Sequence, residues 1–124
     1  MIRILIADDY MPFRIMLRYL LADEPDFDVV GEAPDGAIAV RLAEELQPDV
    51  IMLDLAMPNL DGWEAIPLLR DVAPDARIIV LSGFPLSRLQ DASLHEQIAR
   101  YLEKGEPAEV LCGAVREAAA VRAA

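Results

Sequence analysis

Short, continuous apolar runs alternate along the chain with longer stretches whose apolar residues recur at helical spacing. Ile2-Arg3-Ile4-Leu5-Ile6-Ala7 is rich in β-branched residues and almost unbroken, as expected of a strand covered on both faces. Phe13, Met16, Leu17, Leu20 and Leu21 then recur at i, i+3, i+4, i+7 and i+8, one apolar stripe of a helix. Pro12 suits the first turn of that helix, and Pro25-Asp26 closes it. Residues 27–32 read as a second strand. Ala39, Leu42, Ala43 and Leu46 mark a second helix, begun near Gly36 and ended before Pro48. Val50-Ile51-Met52-Leu53 is a third strand running to Asp54, followed by a loop and a helix over about 63–72. Pro67 inside that helix predicts either a late start, near Glu64, or a bend. Strands at 77–81 and 98–102 flank a shorter, less regular helix. A last helix over about 107–121 has Pro107 in its first turn and Val110, Leu111, Ala114, Val115 and Ala118 on one face.

Five strand–helix units in 124 residues point to an α/β fold, a doubly wound five-stranded parallel sheet with right-handed crossovers and helices on both sides. No linker or repeat interrupts them, so residues 1–124 read as one domain. In such sheets ligands bind outside the carboxyl ends of the strands, and the polar residues of this chain gather there. Asp8-Asp9 follows the first run, Asp54 ends the third, Ser82 ends the fourth and Lys104 follows the fifth. Three acids, a hydroxyl and an ammonium in one crevice suit a divalent cation and a phosphoryl group. Mg²⁺ takes oxygen ligands and keeps several waters, so two or three carboxylates and a backbone carbonyl suffice. A carboxylate such as Asp54 can itself attack phosphorus and form an acyl phosphate.

Composition narrows the partners. Eleven basic against 22 acidic residues give a net charge of -11, a field that repels a polyanion, so this domain alone is not expected to bind nucleic acid. The single cysteine, Cys112, excludes an internal disulfide and fits a reducing cytosol. No apolar run approaches the roughly 18 residues that span a bilayer, and the first run stops at two Asp, unlike a secretory signal. A soluble, cytoplasmic protein with no membrane partner is the expectation. Trp63 and His95 read as packing and surface residues, and Asp61-Gly62 as a turn that shapes the acid loop.

Taken together, Asp8-Asp9, Asp54-Leu55-Ala56-Met57-Pro58 with Asp61-Gly62, Leu81-Ser82-Gly83 and Tyr101-Leu102-Glu103-Lys104 resemble the receiver domain of bacterial two-component response regulators, the CheY-like domains. The resemblance runs from Ile2 to the last helix, and four motifs in order at four strand ends make it specific. It implies a flavodoxin-like (βα)5 sheet of order 2-1-3-4-5, by analogy. It implies that Asp54 is the phosphoacceptor for a sensor histidine kinase or a small acyl phosphate. Asp9, Asp54 and the Ala56 carbonyl would hold Mg²⁺ directly, with Asp8 acting mostly through water. Ser82 and Lys104 would hold phosphoryl oxygens, and Tyr101 would be an aromatic switch that follows Ser82. The chain would catalyse only its own phosphoryl transfer and dephosphorylation. Its output face would be formed by the fourth helix, the fifth strand and the fifth helix, often through homodimerisation.

Val29-Val30-Gly31-Glu32-Ala33 with Asp35-Gly36, and Lys104-Gly105, look most like receivers joined to helix-turn-helix DNA-binding domains, which suggests transcriptional output. A chain of this length would equally suit a stand-alone receiver or an excised domain. Ala56 and Phe84, two residues after Asp54 and Ser82, are apolar where the resembled family lets water approach the acyl phosphate, so a long-lived phosphorylated form is expected. Three other readings compete. A haloacid-dehalogenase-like phosphatase also uses a strand-end Asp and Mg²⁺, but wants a second Asp where Ala56 stands. A nucleotide-binding module would want a glycine-rich turn after the first strand, where Asp8-Asp9-Tyr10 stands. A receiver acting by phosphorylation-independent protein contacts would not need its acceptor residues intact.

Two carboxylates about 5 Å apart repel by about 3 kcal/mol at an effective dielectric near 20. Millimolar Mg²⁺ should therefore raise the melting temperature, and Asp9→Asn should remove most of that rise. A melting curve indifferent to Mg²⁺ would count heavily against the site.

Overall fold

The computed structural model describes residues 1–83 and 96–123. Five strands, β1 (Ile2–Ala7), β2 (Phe27–Ala33), β3 (Val50–Asp54), β4 (Arg77–Ser82) and β5 (Arg100–Glu103), form one sheet of order β2-β1-β3-β4-β5. Every pairing is parallel. The fold expected from the sequence, a doubly wound flavodoxin-like sheet, is the fold observed. Four helices are described, α1 (Met11–Ala22), α2 (Gly36–Leu46), α3 (Gly62–Val72) and α4 (Ala108–Ala123). The helix expected between β4 and β5, with Phe84 and His95, lies outside the described residues. No helix among the described residues is long and apolar enough to cross a membrane.

The near-unbroken apolar runs become strands because both faces of the sheet are covered. Alternate residues go to opposite sides. Leu5, Ala7, Ile51, Leu53, Ile78 and Val80 pack with α2 and α3 through Ala39, Ala43, Ala65, Ile66 and Leu69. Ile4, Ile6, Val50, Met52, Ile79 and Leu81 pack with α1 and α4 through Leu17, Leu21, Leu111 and Val115. Trp63 lies half-buried against the first of these cores, and Cys112 is buried in the second, as a packing role predicts. Met16 departs from its pattern. The sheet-facing line of α1 runs through Leu17 and Leu21, and Met16, about 100° round the helix from Leu17, is 48% exposed.

Among the boundaries that differ from the sequence reading, two have a clear hydrogen-bonding cause. β5 begins at Arg100, paired with Ile79, rather than at residue 98. Ala99 still donates its N–H to the Ile78 carbonyl at 2.7 Å, but the chain bends before the ladder proper. α3 begins at Gly62, not near Glu64, because Asp61 caps it by accepting the Glu64 N–H at 2.9 Å. Pro67 sits inside the helix on its exposed side. Its missing N–H frees the Trp63 carbonyl without breaking the helix, since that side faces solvent.

Gly62 does more than start α3. Its N–H donates to the Leu55 carbonyl at 2.9 Å, folding the loop back onto the end of β3. A Cβ there would stand 2.6 Å from Leu55 Cα and closer still to the Asp54 carbonyl oxygen. Only glycine allows α3 to start so near the chain that carries Asp54. Gly62→Ala should therefore cost about 1–3 kcal/mol, the usual range for overpacking against atoms that must shift. Urea unfolding measures this, and an unchanged midpoint would contradict the close approach.

Candidate functional site

Parallel strands end side by side, so residues distant in sequence meet at the carboxyl edge of the sheet. Asp8 follows β1 directly; its N–H is tied to the Ala33 carbonyl at 2.9 Å and its Oδ1 accepts the Tyr10 N–H at 2.8 Å. Asp54 is the last residue of β3, and its Oδ1 accepts the Ala56 N–H at 3.2 Å. Both are nearly sealed from solvent, at 2% and 4% exposure, whereas Asp9 is exposed. A carboxylate oxygen from each of Asp8, Asp9 and Asp54 lies within 4.8 Å of the other two. Lys104, just past β5, reaches across with Nζ 2.8 Å from Asp8 Oδ2 and 3.3 Å from Asp54 Oδ2.

Ser82 ends β4, buried, opposite Glu103 of β5, and its carbonyl accepts the Lys104 N–H at 2.7 Å. The sheet thus fixes the backbone of Lys104 relative to Ser82. Ala56 is exposed in the loop after β3. Tyr101 pairs with Val80 and is half-buried against the core under α2 and α3. Asp61 is a helix cap rather than a member of the three acids' cluster.

Charge dominates the chemistry. Burial pushes the Asp54 carboxyl up to about 6, the Asp8 charge adds to the rise, and Lys104 only partly opposes it. Burial alone would lower the Lys104 ammonium's pKa, but the hydrogen bond to Asp8 and the charges of Asp54 and Asp8 outweigh it, and the net shift is upward. The donor set fits a hard divalent cation. Its ligand atoms are all oxygens, and two of the carboxylates, Asp8 and Asp54, already share one ammonium.

Two residues of α1 complete the surroundings, and the sequence reading did not place them there. Arg14 donates Nη1 to the Asp8 carbonyl at 2.7 Å and Nε to Glu32 at 3.2 Å. Phe13, read as part of the apolar stripe, sets its ring 4.6 Å from Lys104 Nζ. Adjacency to the Asp8-Asp9 pair was the only signal available, and it does not specify a partner across the sheet.

The response regulator receiver domain family model matches residues 4–116. The chain belongs to that family. Similar to this receiver are the transcriptional regulatory protein LiaR of Bacillus subtilis, 40% identical over 95% of this chain and 56% of that one, and the nitrate/nitrite response regulator NarL of Escherichia coli, 38% identical over 94% and 54%. The chain spans about half the length of these curated relatives. Among solved structures, the response regulator domain of Thermotoga maritima CheB superposes with a TM-score of 0.84 at 35% identity, covering 96% of each chain. Family membership sets aside the phosphatase and nucleotide-binding alternatives.

Because the folded state disfavours ionised Asp54, the unfolded chain releases that proton first, near 3.8. Stability in metal-free solution should therefore fall as pH rises from about 4 to about 6 and stay low above it. Asp54→Asn should stabilise the protein by about 1–3 kcal/mol at pH 7.5 and by almost nothing below pH 4. Urea midpoints across that range, without divalent cations, measure the difference; a gain independent of pH would refute its electrostatic origin.

Proposed function

We propose that this receiver is the phosphorylatable switch of a two-component phosphorelay, with Asp54 as acceptor. The observation that carries the reading is the buried Asp54 carboxylate, joined through one ammonium to a second buried carboxylate, Asp8. A buried carboxylate raised above its ordinary range is a poorly solvated one, and so a stronger nucleophile once ionised. One oxygen of Asp54 attacks the phosphorus of a phosphohistidine on a sensor histidine kinase, or of a small acyl phosphate. A P–O bond to Asp54 forms as the bond to the imidazole or carboxylate leaving group breaks. Lys104 Nζ, 3.3 Å from Asp54 Oδ2, is within reach of the oxygens of a phosphoryl group arriving there. Ser82 at the end of β4 would give a hydroxyl hydrogen bond to another.

Mg²⁺, when bound by Asp9, Asp54 and the Ala56 carbonyl, with Asp8 acting through water, supplies charge neutralisation on the phosphoryl oxygens. Ala56, exposed and apolar, offers nothing to orient a hydrolytic water, which favours a long-lived acyl phosphate.

The proposal extends to the output side. A hydroxyl drawn toward the phosphoryl group pulls on β4, and Tyr101 on the paired strand β5 would follow it. The face of β5 and α4 would then change its partners, with homodimerisation as one outcome. The likeness to LiaR and NarL supports an output in transcription, through an attached domain or a separate partner, in the cytoplasm. The net charge of -11 argues that DNA contact belongs to that other part.

Intact mass after incubation with acetyl phosphate tests the reading. Wild type with Mg²⁺ should gain one phosphoryl group, while wild type without Mg²⁺ and Asp54→Asn should gain none. After donor removal the adduct should persist for minutes or longer. Modification that survives Asp54→Asn would place the acceptor elsewhere, and decay within seconds would contradict the long-lived form.

A further inference from the structure

Lys104 is the cation that reaches both buried acids of the crevice, and what holds it decides where its charge acts. Its backbone is fixed by the N–H bond to the Ser82 carbonyl at 2.7 Å, and Gly105 turns the chain away at φ 107°. The side chain is a flexible four-carbon stem ending in a compact charge with three donors. Two directions from Nζ lead to Asp8 Oδ2 at 2.8 Å and Asp54 Oδ2 at 3.3 Å. The third meets the Phe13 ring, 4.6 Å away at its centroid, inside the range where a ring's quadrupole attracts an ammonium.

The ring has supports of its own, independent of the ammonium. Phe13 stands in the first turn of α1 and packs against the core of Leu17, Leu21 and their neighbours. The next residue, Arg14, ties the same turn to the Asp8 carbonyl and to Glu32. The ring is therefore placed by α1 and its core contacts, while both carboxylates that grip Lys104 belong to the set that would serve a cation and a phosphoryl group. Once they turn to those partners, the ring is the contact that stays.

We propose that Phe13 is a positioning residue for Lys104, its ring holding the ammonium over the crevice when Asp8 and Asp54 are engaged elsewhere. The inference rests on the receiver chemistry proposed above. It assigns the ring no contact with the phosphoryl group; Phe13 acts through Lys104 alone.

Two readouts test it. The ε-methylene protons of Lys104 should show an upfield ring-current shift in the metal-free protein, and should keep it in the protein loaded with Mg²⁺ and beryllofluoride. Phe13→Leu should abolish the shift in both states. The second readout is the rate of phosphorylation by acetyl phosphate at saturating Mg²⁺. Phe13→Leu should lower it about three- to thirty-fold, the range that cation–π attractions convert to. Replacing Phe13 by mono-, di- and trifluorophenylalanine changes the quadrupole with little change of shape, so this series stays informative if the leucine variant folds poorly. The rate should fall stepwise along it with melting temperatures nearly constant, and Phe13→Leu should have no further effect in a Lys104→Ala background. A flat fluorine series in a wild type that does accept phosphate, or a ring-current shift lost on loading, would overturn the role of Phe13 alone. A wild type that takes neither a phosphoryl group nor beryllofluoride would overturn the receiver chemistry, and this inference with it.

Discussion

Holding Asp8 and Asp54 side by side out of water, with one ammonium between them, is the constraint around which the rest of this receiver is arranged. Each carboxylate loses hydration on burial, and their charges repel by about 3 kcal/mol at the separations seen here and an effective dielectric near 20. Lys104 offsets part of this, yet burial and the Asp8 charge still leave Asp54 titrating near 6. Neither acid can relax away, because each sits at the end of a central strand, and both strands are hydrogen-bonded along their length. The site is a place where the fold tolerates a local cost, one that a cation or a phosphoryl group held there would change directly.

The loop after β3 shows how the surrounding backbone is built to match. Gly62 brings the start of α3 against Asp54 and Leu55, and Gly36 brings the start of α2 against the Leu60 backbone, where a Cβ would stand 2.8 Å from its carbonyl carbon. Asn59 adopts φ 67°, a conformation that Asn accepts more readily than most residues, and donates its side-chain amide to Asp35, the cap of α2, at 3.3 Å. The loop that carries Ala56 is therefore pinned at both ends by helix starts.

Charge pairs farther out fix the helices rather than the site. Glu32 on β2 takes Arg14 and Arg18 of α1, at 3.2 and 2.7 Å. Arg116 of α4 forms a two-pronged pair with Asp26 at 2.9 and 2.8 Å and lies 4.7 Å from the Phe27 ring centroid, joining the last helix to the start of β2. These pairs are partly exposed, so each stabilises little by itself. Their effect is orientation. The Arg14 link also reaches the Asp8 carbonyl, so the tilt of α1 and the position of an acid are set by one side chain.

Much of this was determined by the sequence alone, because it depends on local period and on ends. Short, nearly unbroken apolar runs between turn signals read as strands buried on both sides, helical stripes between them imply parallel crossovers, and whatever polar residue ends each run then lies on one edge. Asp8, Asp9, Asp54, Ser82 and Lys104 were legible for that reason, and their order carried the family resemblance. The start of β5 and the start of α3 were misplaced by two residues each or less, since a bend at Ala99 and a cap by Asp61 are hydrogen-bonding choices made against neighbouring elements. Tertiary structure alone decided the rest. That Asp8 is sealed while Asp9 beside it is exposed, that the ring of Phe13 faces Lys104, and that Gly62 lies against Asp54 all follow from contacts between segments far apart in the chain. Periodicity says which face a residue occupies; only the packing of one element on another says what it meets there.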